Sequence, residues 1–379
     1  MNLSRKPTAA ALILCFAMLS ASSDAAGDRD GWRRYKNDGS RFEVFGDYAG
    51  AERSYTRALS LANPPDALPA ERGEIIARLT SAMIAQKKFS RAEPYFKELC
   101  KLSPTLKESS KSNEDYFTSI DALSETYTDQ ANSFNRIPSL EHGAILLDTA
   151  FGGYHPRLAR TLIFLANSYE PIGFAKESKA LAEKALKAAL RDKSSKGGQM
   201  SVRCYEAIGR ACEDAKDWKG AASAFESALR IYTELKPNTT LTSAALTSHL
   251  ANIYLKFGRT ADAKRMYKKA DDIFTTRIAS FEKSQKKGYS DVAVDALDCA
   301  IMLTEFKQYR RAEAMCVKAM MWLQVSYGME NPGMVPAYKL HALVLKQLGR
   351  ATDAKKEVAM ATYLQTKFRA TATPITLKN

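Results

Sequence analysis

The chain has 379 residues, of which 45% are hydrophobic, and it carries a formal net charge of +14 at pH 7. It contains 19 glycines and 13 prolines, a content too low for a disordered chain or an all-β fold. The excess of basic residues favours acidic partners or anionic surfaces through long-range attraction.

The N-terminus has the three parts of a secretory signal peptide. Arg5 and Lys6 form a positive segment, the stretch Ala9–Leu19 is apolar, and the small and polar residues SASSDAA follow. The apolar stretch is too short to span a bilayer as a helix, which takes about 20 residues. We therefore expect residues 1–26 to be removed on export to a periplasmic or secreted location, in a bacterium. An uncleaved amphipathic N-terminus is the alternative.

A short pattern of aromatic and alanine residues recurs along the rest of the chain. It reads GDYAGAERSYTRAL around Tyr48, KDWKGAASAFESAL around Trp218 and KQYRRAEAMCVKAM around Tyr309. Spacings of three and four residues place these side chains on one face of a helix, and the small alanines let a second helix approach closely. Recurrence of such a pattern predicts an all-α solenoid of stacked helix pairs.

The pattern resembles the tetratricopeptide repeat, a helix–turn–helix unit with small residues at fixed positions. Eight units are predicted, the third of them degenerate, with starts near residues 32, 73, 124, 159, 202, 244, 293 and 335. The period of about 42 residues exceeds the minimal repeat of about 34. Polar linkers hold the excess, among them residues 191–199, where Gly197 and Gly198 predict a flexible connection.

A period near 42 residues resembles the kinesin-light-chain type of tetratricopeptide repeat. Two phrases strengthen the resemblance: a Gly-x-His-Pro-like segment at Gly153–Pro156 and at Glu330–Pro332, and the phrase LANxY at Leu165–Tyr169 and at Leu250–Tyr254. The resemblance implies a right-handed superhelical domain over residues 27–361. The tail at residues 362–379 is expected to begin as a continuing helix and to end in a disordered stretch, TATPITLKN.

The sequence offers little for catalysis or metal binding. No Walker loop, GxSxG or HExxH motif is present, and the four histidines lack zinc-site spacing. The five cysteines of the mature chain are expected to be free, small apolar residues of helices. His155 is expected to serve a turn, His341 to lie in the core, and His249 to face a groove. We therefore expect neither a cofactor nor enzyme activity.

The resemblance implies that the first helices of the units line a concave groove. Groove-facing positions in units three to six hold polar side chains, which we take as the candidate ligand-binding residues: Asn132, Arg160, Asn167, Arg203, Arg210, His249 and Asn252. Asparagine can bond a peptide backbone whatever the sequence of the peptide, and arginine can hold a carboxylate through two hydrogen bonds. These residues predict a groove for an extended protein segment with acidic character, although ordinary solvated groove residues would give the same pattern.

Three hypotheses about function remain open at the level of the sequence. The first is an exported scaffold that binds a peptide or protein segment in its concave groove. The second is a basic surface that holds an anionic envelope polymer or a membrane surface. The third is an enzyme, which would need a cleft with clustered titratable groups. Export argues against nucleic acid as a partner, and the sequence does not fix the oligomeric state.

Overall fold

The computed structural model describes residues 31–63, 66–108, 110–130, 136–153, 155–192, 195–235, 241–284, 289–372 and 374–375. All regular secondary structure within these ranges is helical, which confirms the predicted all-α class. The signal-peptide prediction at residues 1–26 falls outside the described ranges. Within them, no helix is long and apolar enough to cross a membrane.

The described helices form eight consecutive pairs, one pair for each predicted unit. In chain order they are α1 (Gly31–Val44), α2 (Tyr48–Leu61), α3 (Pro69–Ala85), α4 (Phe89–Leu102), α5 (Glu114–Gln130), α6 (Arg136–Phe151), α7 (Pro156–Tyr169), α8 (Ala175–Ala189), α9 (Ser195–Asp214), α10 (Trp218–Glu234), α11 (Leu241–Lys256), α12 (Thr260–Ser284), α13 (Tyr289–Glu305), α14 (Tyr309–Tyr327), α15 (Met334–Gln347) and α16 (Ala351–Arg369). Odd numbers are the first helices of the units and even numbers the second helices.

Two helix starts differ clearly from the sequence prediction. The first helix of unit three begins at Glu114 rather than near residue 124, because a short 3-10 turn at Lys111–Asn113 leads directly into it and acidic residues suit a helix N-terminus. In unit five, Gly197 and Gly198 lie inside α9 instead of in a flexible linker. A side-chain carbon at Gly197 would lie 2.0 Å from the carbonyl oxygen of Asp192, so this glycine permits a close backbone approach.

The recurrent glycine of the first helices makes room for the recurrent aromatic residue of the second. A side-chain carbon at Gly209 would lie 2.6 Å from the Phe225 ring, and one at Gly39 would lie 2.5 Å from the Tyr55 ring. Both rings are fully buried. The sequence pattern thus reflects contacts within each helix pair, where a side chain larger than glycine would displace the aromatic ring.

The predicted free cysteines are confirmed for the described positions. Cys204, Cys212, Cys299 and Cys316 are buried, Cys100 is half-buried, and all five are free. Burial raises the pKa of the thiols of Cys204, Cys299 and Cys316 to about 12. These thiols therefore remain protonated at neutral pH and act as small apolar groups of the core.

The last unit reaches back across the molecule to unit four. Phe368, Ala372 and Ile375 pack against the hydrophobic core formed by α6 to α9. The backbone amide of Ile375 donates a hydrogen bond of 3.3 Å to the hydroxyl of Tyr169, and the Arg369 guanidinium lies 4.9 Å from the centre of the Phe174 ring. Ile375 lies in the stretch that was expected to be disordered; that expectation is wrong for this residue, because it finds an apolar surface on unit four.

Candidate functional site

The first helices of units four and five meet through Asn167 and Arg210. Asn167 lies near the end of α7 and Arg210 near the end of α9. The guanidinium donates a 2.7 Å hydrogen bond to Asn167 Oδ1, a 2.7 Å bond to Glu206 Oε1, and lies 3.6 Å from Glu170 Oε2. Two predicted groove residues are thus brought together, and the arginine already has carboxylate partners from both units.

These carboxylates keep Arg210 charged. Burial alone would lower the pKa of the Arg210 guanidinium, but the negative charges of Glu206, Glu170, Asp298 and Glu213 together raise it above its usual value. Because its positive charge is balanced inside the protein, Arg210 gives no support to the expectation that it holds an acidic partner.

His249 on α11 continues this network into unit six. Its ring is 4% exposed and stacks on Phe225, with ring centres 4.6 Å apart. Nδ1 lies 2.8 Å from Glu213 Oε2. Burial alone would lower the pKa of the imidazole, yet the charge of Glu213 raises it to about 9, so His249 is protonated at neutral pH. Nε2 is buried with no hydrogen-bond partner among the described residues.

Two further buried polar side chains lie on α11 and on the first helix of the following unit, α13. Asn252, one helical turn later on α11, is 7% exposed, and its Oδ1 has no hydrogen-bond partner in the described part of the chain. Asp298 on α13 is 9% exposed. Burial, reinforced by Glu206, raises the pKa of Asp298 to about 7 even though His249 opposes the shift. The network therefore extends over units four to seven.

A lysine of unit eight also faces this interior. Asp214, at the end of α9, is an exposed residue, but partial desolvation of its carboxyl and the charges of Glu170 and Glu213 raise its pKa to about 6, while Arg210 and Lys339 lower it. Lys339 lies on α15, so the first helices of units five and eight come within electrostatic reach of each other. The contact of the C-terminal segment with unit four agrees with this arrangement.

Two half-exposed apolar side chains accompany the polar network. Val294 lies one helical turn before Asp298 on α13 and is 49% exposed, and Leu343 lies one turn after Lys339 on α15 and is 47% exposed. Residues four apart share a helix face, so both apolar side chains lie on the faces that carry the interior charges. The interior of units four to eight therefore combines polar and apolar contact surface.

The candidate residues predicted from the sequence differ in where the structure places them. Asn167, Arg210, His249 and Asn252 lie in or next to the network described above. Arg160 and Arg203 are exposed, and the Arg160 guanidinium lies 5.5 Å from the centre of the Phe164 ring. Asn132 falls outside the described residues.

Sequence reasoning left the acidic members of the network out of the candidate set. They are Glu170, Glu206, Glu213, Asp214, Asp295 and Asp298. The signal was present, because Glu170 and Glu213 occupy the next groove position of α7 and α9, and Asp298 matches the position of His249 in the following unit. Extending the same positional rule to unit seven would have identified Asp298, whereas Asp214 and Asp295 lie outside the groove positions of that rule.

The remaining histidines have structural partners. His155 caps α7, where the Arg157 amide donates a 3.3 Å hydrogen bond to its Nδ1, as expected for a turn residue. His341 is buried with Nδ1 3.1 Å from Glu357 Oε1, in agreement with a core position. Within the described ranges, no group of three or more histidine, cysteine, aspartate or glutamate side chains is arranged to hold a metal ion.

Comparison with known proteins gives matches of low identity. No family model matches the chain. Over 262 residues the chain is 22% identical to the Protein KINESIN LIGHT CHAIN-RELATED 3 of Arabidopsis thaliana, a match that covers 67% of this chain and 38% of the relative. The chain thus spans well under half the length of this relative. The match supports the kinesin-light-chain-like repeat type predicted from the sequence.

Several solved structures can be aligned with the chain at low identity. The apo form of the quorum sensor NprR from B. thuringiensis is 11% identical, with a TM-score of 0.46 and coverage of 93% of this chain and 92% of that chain. A Rap protein complexed with Competence and Sporulation Factor is 15% identical, with a TM-score of 0.45; the alignment covers 90% of this chain and 99% of that chain. BtubC (BKLC) from P. vanneervenii is 17% identical, with a TM-score of 0.34; the alignment covers 69% of this chain and 95% of that chain.

Proposed function

We propose that this chain is an exported, non-catalytic scaffold that binds a peptide or protein segment on the inner face of units four to eight. One observation carries the proposal: His249 Nε2 and Asn252 Oδ1 are buried on a first helix without hydrogen-bond partners among the described residues. The segment would complete these hydrogen bonds once the two side chains turn toward the inner face.

The physical reason lies in the cost of buried polar groups. A buried donor or acceptor without a partner costs about 1–3 kcal/mol, so most such groups in folded proteins are paired. A bound backbone offers both a donor and an acceptor and can satisfy a histidine and an asparagine together. The half-exposed Val294 and Leu343 supply apolar area beside them. Polar groups that fix a segment and apolar groups that bury it are the usual parts of a binding site.

The test replaces apolar side chains of the inner face by charge. Val294→Glu and Leu343→Glu each place a carboxylate where we expect the partner to lie. Val317→Glu is the matched control, because Val317 is 52% exposed on the second helix α14. Arg210 is unsuitable for this test, because its removal would leave Glu206 and Glu170 without their cation.

Capture of partners from the extracytoplasmic fraction of the native cell, with quantitative mass spectrometry, is the readout. The proposal expects one or more proteins to be recovered with the wild type and with Val317→Glu, and to be lost with Val294→Glu and Leu343→Glu. Equal recovery with all four proteins would reject the inner face as the binding surface.

A second candidate function rests on the charge distribution. The whole chain carries +14, yet the interior of units four to seven is rich in carboxylates, so the excess positive charge lies elsewhere on the surface. Such a surface would hold an anionic envelope polymer or an anionic membrane. Binding of this kind collapses between low and moderate salt, because exposed charges are screened beyond about 10 Å at 0.1 M. Binding that persists at high salt would exclude this function.

A further inference from the structure

Carboxylates outnumber cations in the interior of units four to seven. Among the described residues, the buried or half-buried acidic side chains are Glu170, Glu206, Glu213, Asp295 and Asp298. The buried or half-buried cationic side chains that act on them are Arg210, His249 and Arg277. The interior therefore remains negative, although the chain as a whole is strongly positive.

The cations of this interior are already engaged with particular carboxylates. Arg210 pairs with Glu206, as described above. His249 Nδ1 lies 2.8 Å from Glu213 Oε2, and Arg277 Nε lies 2.9 Å from Asp295 Oδ2. An incoming anion would find each of these cations partnered.

Asp298 is different, because it has no such partner. Its side chain makes neither a hydrogen bond nor an ion pair of contact distance with another described residue, although it is nine-tenths buried. Burial raises the pKa of its carboxyl to about 7, Glu206 and Asp295 add to the shift, and His249 and Arg210 oppose it. An ionised carboxylate buried among like charges is costly, and a nearby positive charge would remove that cost.

A second and independent observation comes from α11, the first helix of the preceding unit. Asn252 Oδ1 is an acceptor that lacks a donor, and Nε2 of the protonated His249 is a donor that lacks an acceptor. Both side chains are more than nine-tenths buried. A ligand that fits must therefore bring donor N–H groups for Asn252 together with an acceptor for His249.

We propose that the surface formed by Asp298, Asn252 and His249 receives a lysine or arginine side chain of the bound segment. The ammonium or guanidinium pairs with the Asp298 carboxylate and donates to Asn252 Oδ1, and a backbone carbonyl of the segment accepts from His249 Nε2. This inference rests on the proposed function, because it concerns the same inner face. It replaces the acidic partner that the sequence favoured by a basic one.

The test compares matched peptides that differ in one charge. Short peptide pools with randomised flanks carry arginine, citrulline or glutamate at a fixed central position, where citrulline is the neutral isostere of arginine. Binding is measured by fluorescence anisotropy at about 0.15 M salt, an ionic strength that screens exposed charges beyond about 8 Å. The proteins are the wild type, Asp298→Asn, and Asp272→Asn, which makes the same charge change on the exposed face of α12.

The wild type and Asp272→Asn are expected to bind the arginine pool roughly tenfold more tightly than the citrulline pool, as for a desolvated charge pair. Asp298→Asn is expected to lose most of that preference. The preference should also weaken below about pH 6, as Asp298 takes up a proton. Loss of binding through unfolding is excluded if the thermal melt of Asp298→Asn is unchanged or higher.

The contrary results separate the two proposals. Equal binding of arginine and citrulline pools, or an arginine preference that survives in Asp298→Asn, overturns the cationic site. If the glutamate pool binds best and Val294→Glu abolishes that binding, the scaffold function stands and only the cationic site fails. If no pool binds the wild type, the cationic site is rejected, and the native-partner capture alone decides the scaffold function.

Discussion

At the scale of single residues, Asp298 links stability to charge. Burial is the main reason that the pKa of its carboxyl rises to about 7 from its ordinary value of 3.8. A carboxyl whose pKa is raised in the folded state favours folding while it is protonated, and that contribution is lost as the pH rises through the folded pKa. The relevant window lies between about pH 4 and about pH 7.

The first prediction is that Asp298→Asn stabilises the protein at neutral and alkaline pH. Asparagine has nearly the same shape and cannot ionise, so the loss of stability between about pH 4 and about pH 7 should shrink relative to the wild type. Urea unfolding followed by circular dichroism at a series of pH values measures the difference. The contribution of His249 to stability is lost at higher pH, between about pH 6.5 and about pH 9, so the two proteins are compared below about pH 6.5.

The control for this prediction is Asp272→Asn, an exposed carboxylate on α12. Its unfolding curves should follow those of the wild type at every pH. Parallel pH dependence of the wild type and Asp298→Asn would mean that the Asp298 carboxyl titrates normally. That result would also count against the cationic site, because the site requires an Asp298 carboxylate that is costly to ionise in the absence of a partner.

The candidate residues were predictable to the extent that repeat register determines them. Asn167, Arg210 and His249 follow from their positions in the first helices, and the structure places all three in one network. The charge state of that network was not predictable from register. The charge state depends on which carboxylate of a neighbouring unit approaches Arg210. The curvature of the solenoid sets the distance between that carboxylate and the guanidinium.

At the scale of helices, the turn between the two helices of a unit repeats one backbone conformation. The residue two positions before the second helix has a positive φ in seven units: Gly46, Lys87, Gly173, Lys216, Gly258, Lys307 and Gly349. Glycine adopts this left-handed conformation freely, whereas a residue with a side chain pays about 1–2 kcal/mol. The three lysines therefore carry local strain.

The second prediction follows from this turn. Lys307→Gly should stabilise the protein by up to about 1 kcal/mol, because relief of the left-handed strain exceeds the entropy cost of glycine. Gly349→Lys, at the equivalent position of unit eight, should destabilise it by a similar amount. Chemical denaturation of both variants and the wild type is the measurement. A loss of stability with Lys307→Gly would show that the lysine side chain contributes more than its backbone costs.

The helix pairs themselves were well predicted, since the alanine–aromatic pattern reports a local contact. Gly209 and Phe225 occupy the predicted positions and touch as the pattern requires. The start of α5 was missed because unit three is degenerate, and the pattern near Tyr127 marks the C-terminal end of that helix. Local periodicity locates a helix face better than it locates a helix end.

At the scale of the whole molecule, the C-terminal segment joins unit eight to unit four. Ala372 and Ile375 cover apolar surface of the α6–α9 core. The sequence predicted helix continuation but not this contact. The residues TATPITLKN alone do not specify this contact, because it forms only when the superhelix brings unit four close to the C-terminal segment.

The third prediction tests this long-range contact. Ile375→Asp places a charge against the unit-four core and should speed hydrogen exchange in α7 and α8, because partly buried apolar contacts there are lost. Thr371→Asp, at an exposed position of the same segment, is the control and should leave exchange in α7 and α8 unchanged. Unchanged exchange with Ile375→Asp would mean that the segment does not stabilise unit four in solution.

The central claim is that the inner face of units four to eight holds a protein segment. The most direct measurement is photo-crosslinking with p-benzoylphenylalanine at Val294 on α13, compared with the same residue at Val317 on α14, in the native cell. The account predicts a discrete crosslinked partner from position 294 and none from position 317. A partner crosslinked from the outer position 317 and not from position 294 would contradict it.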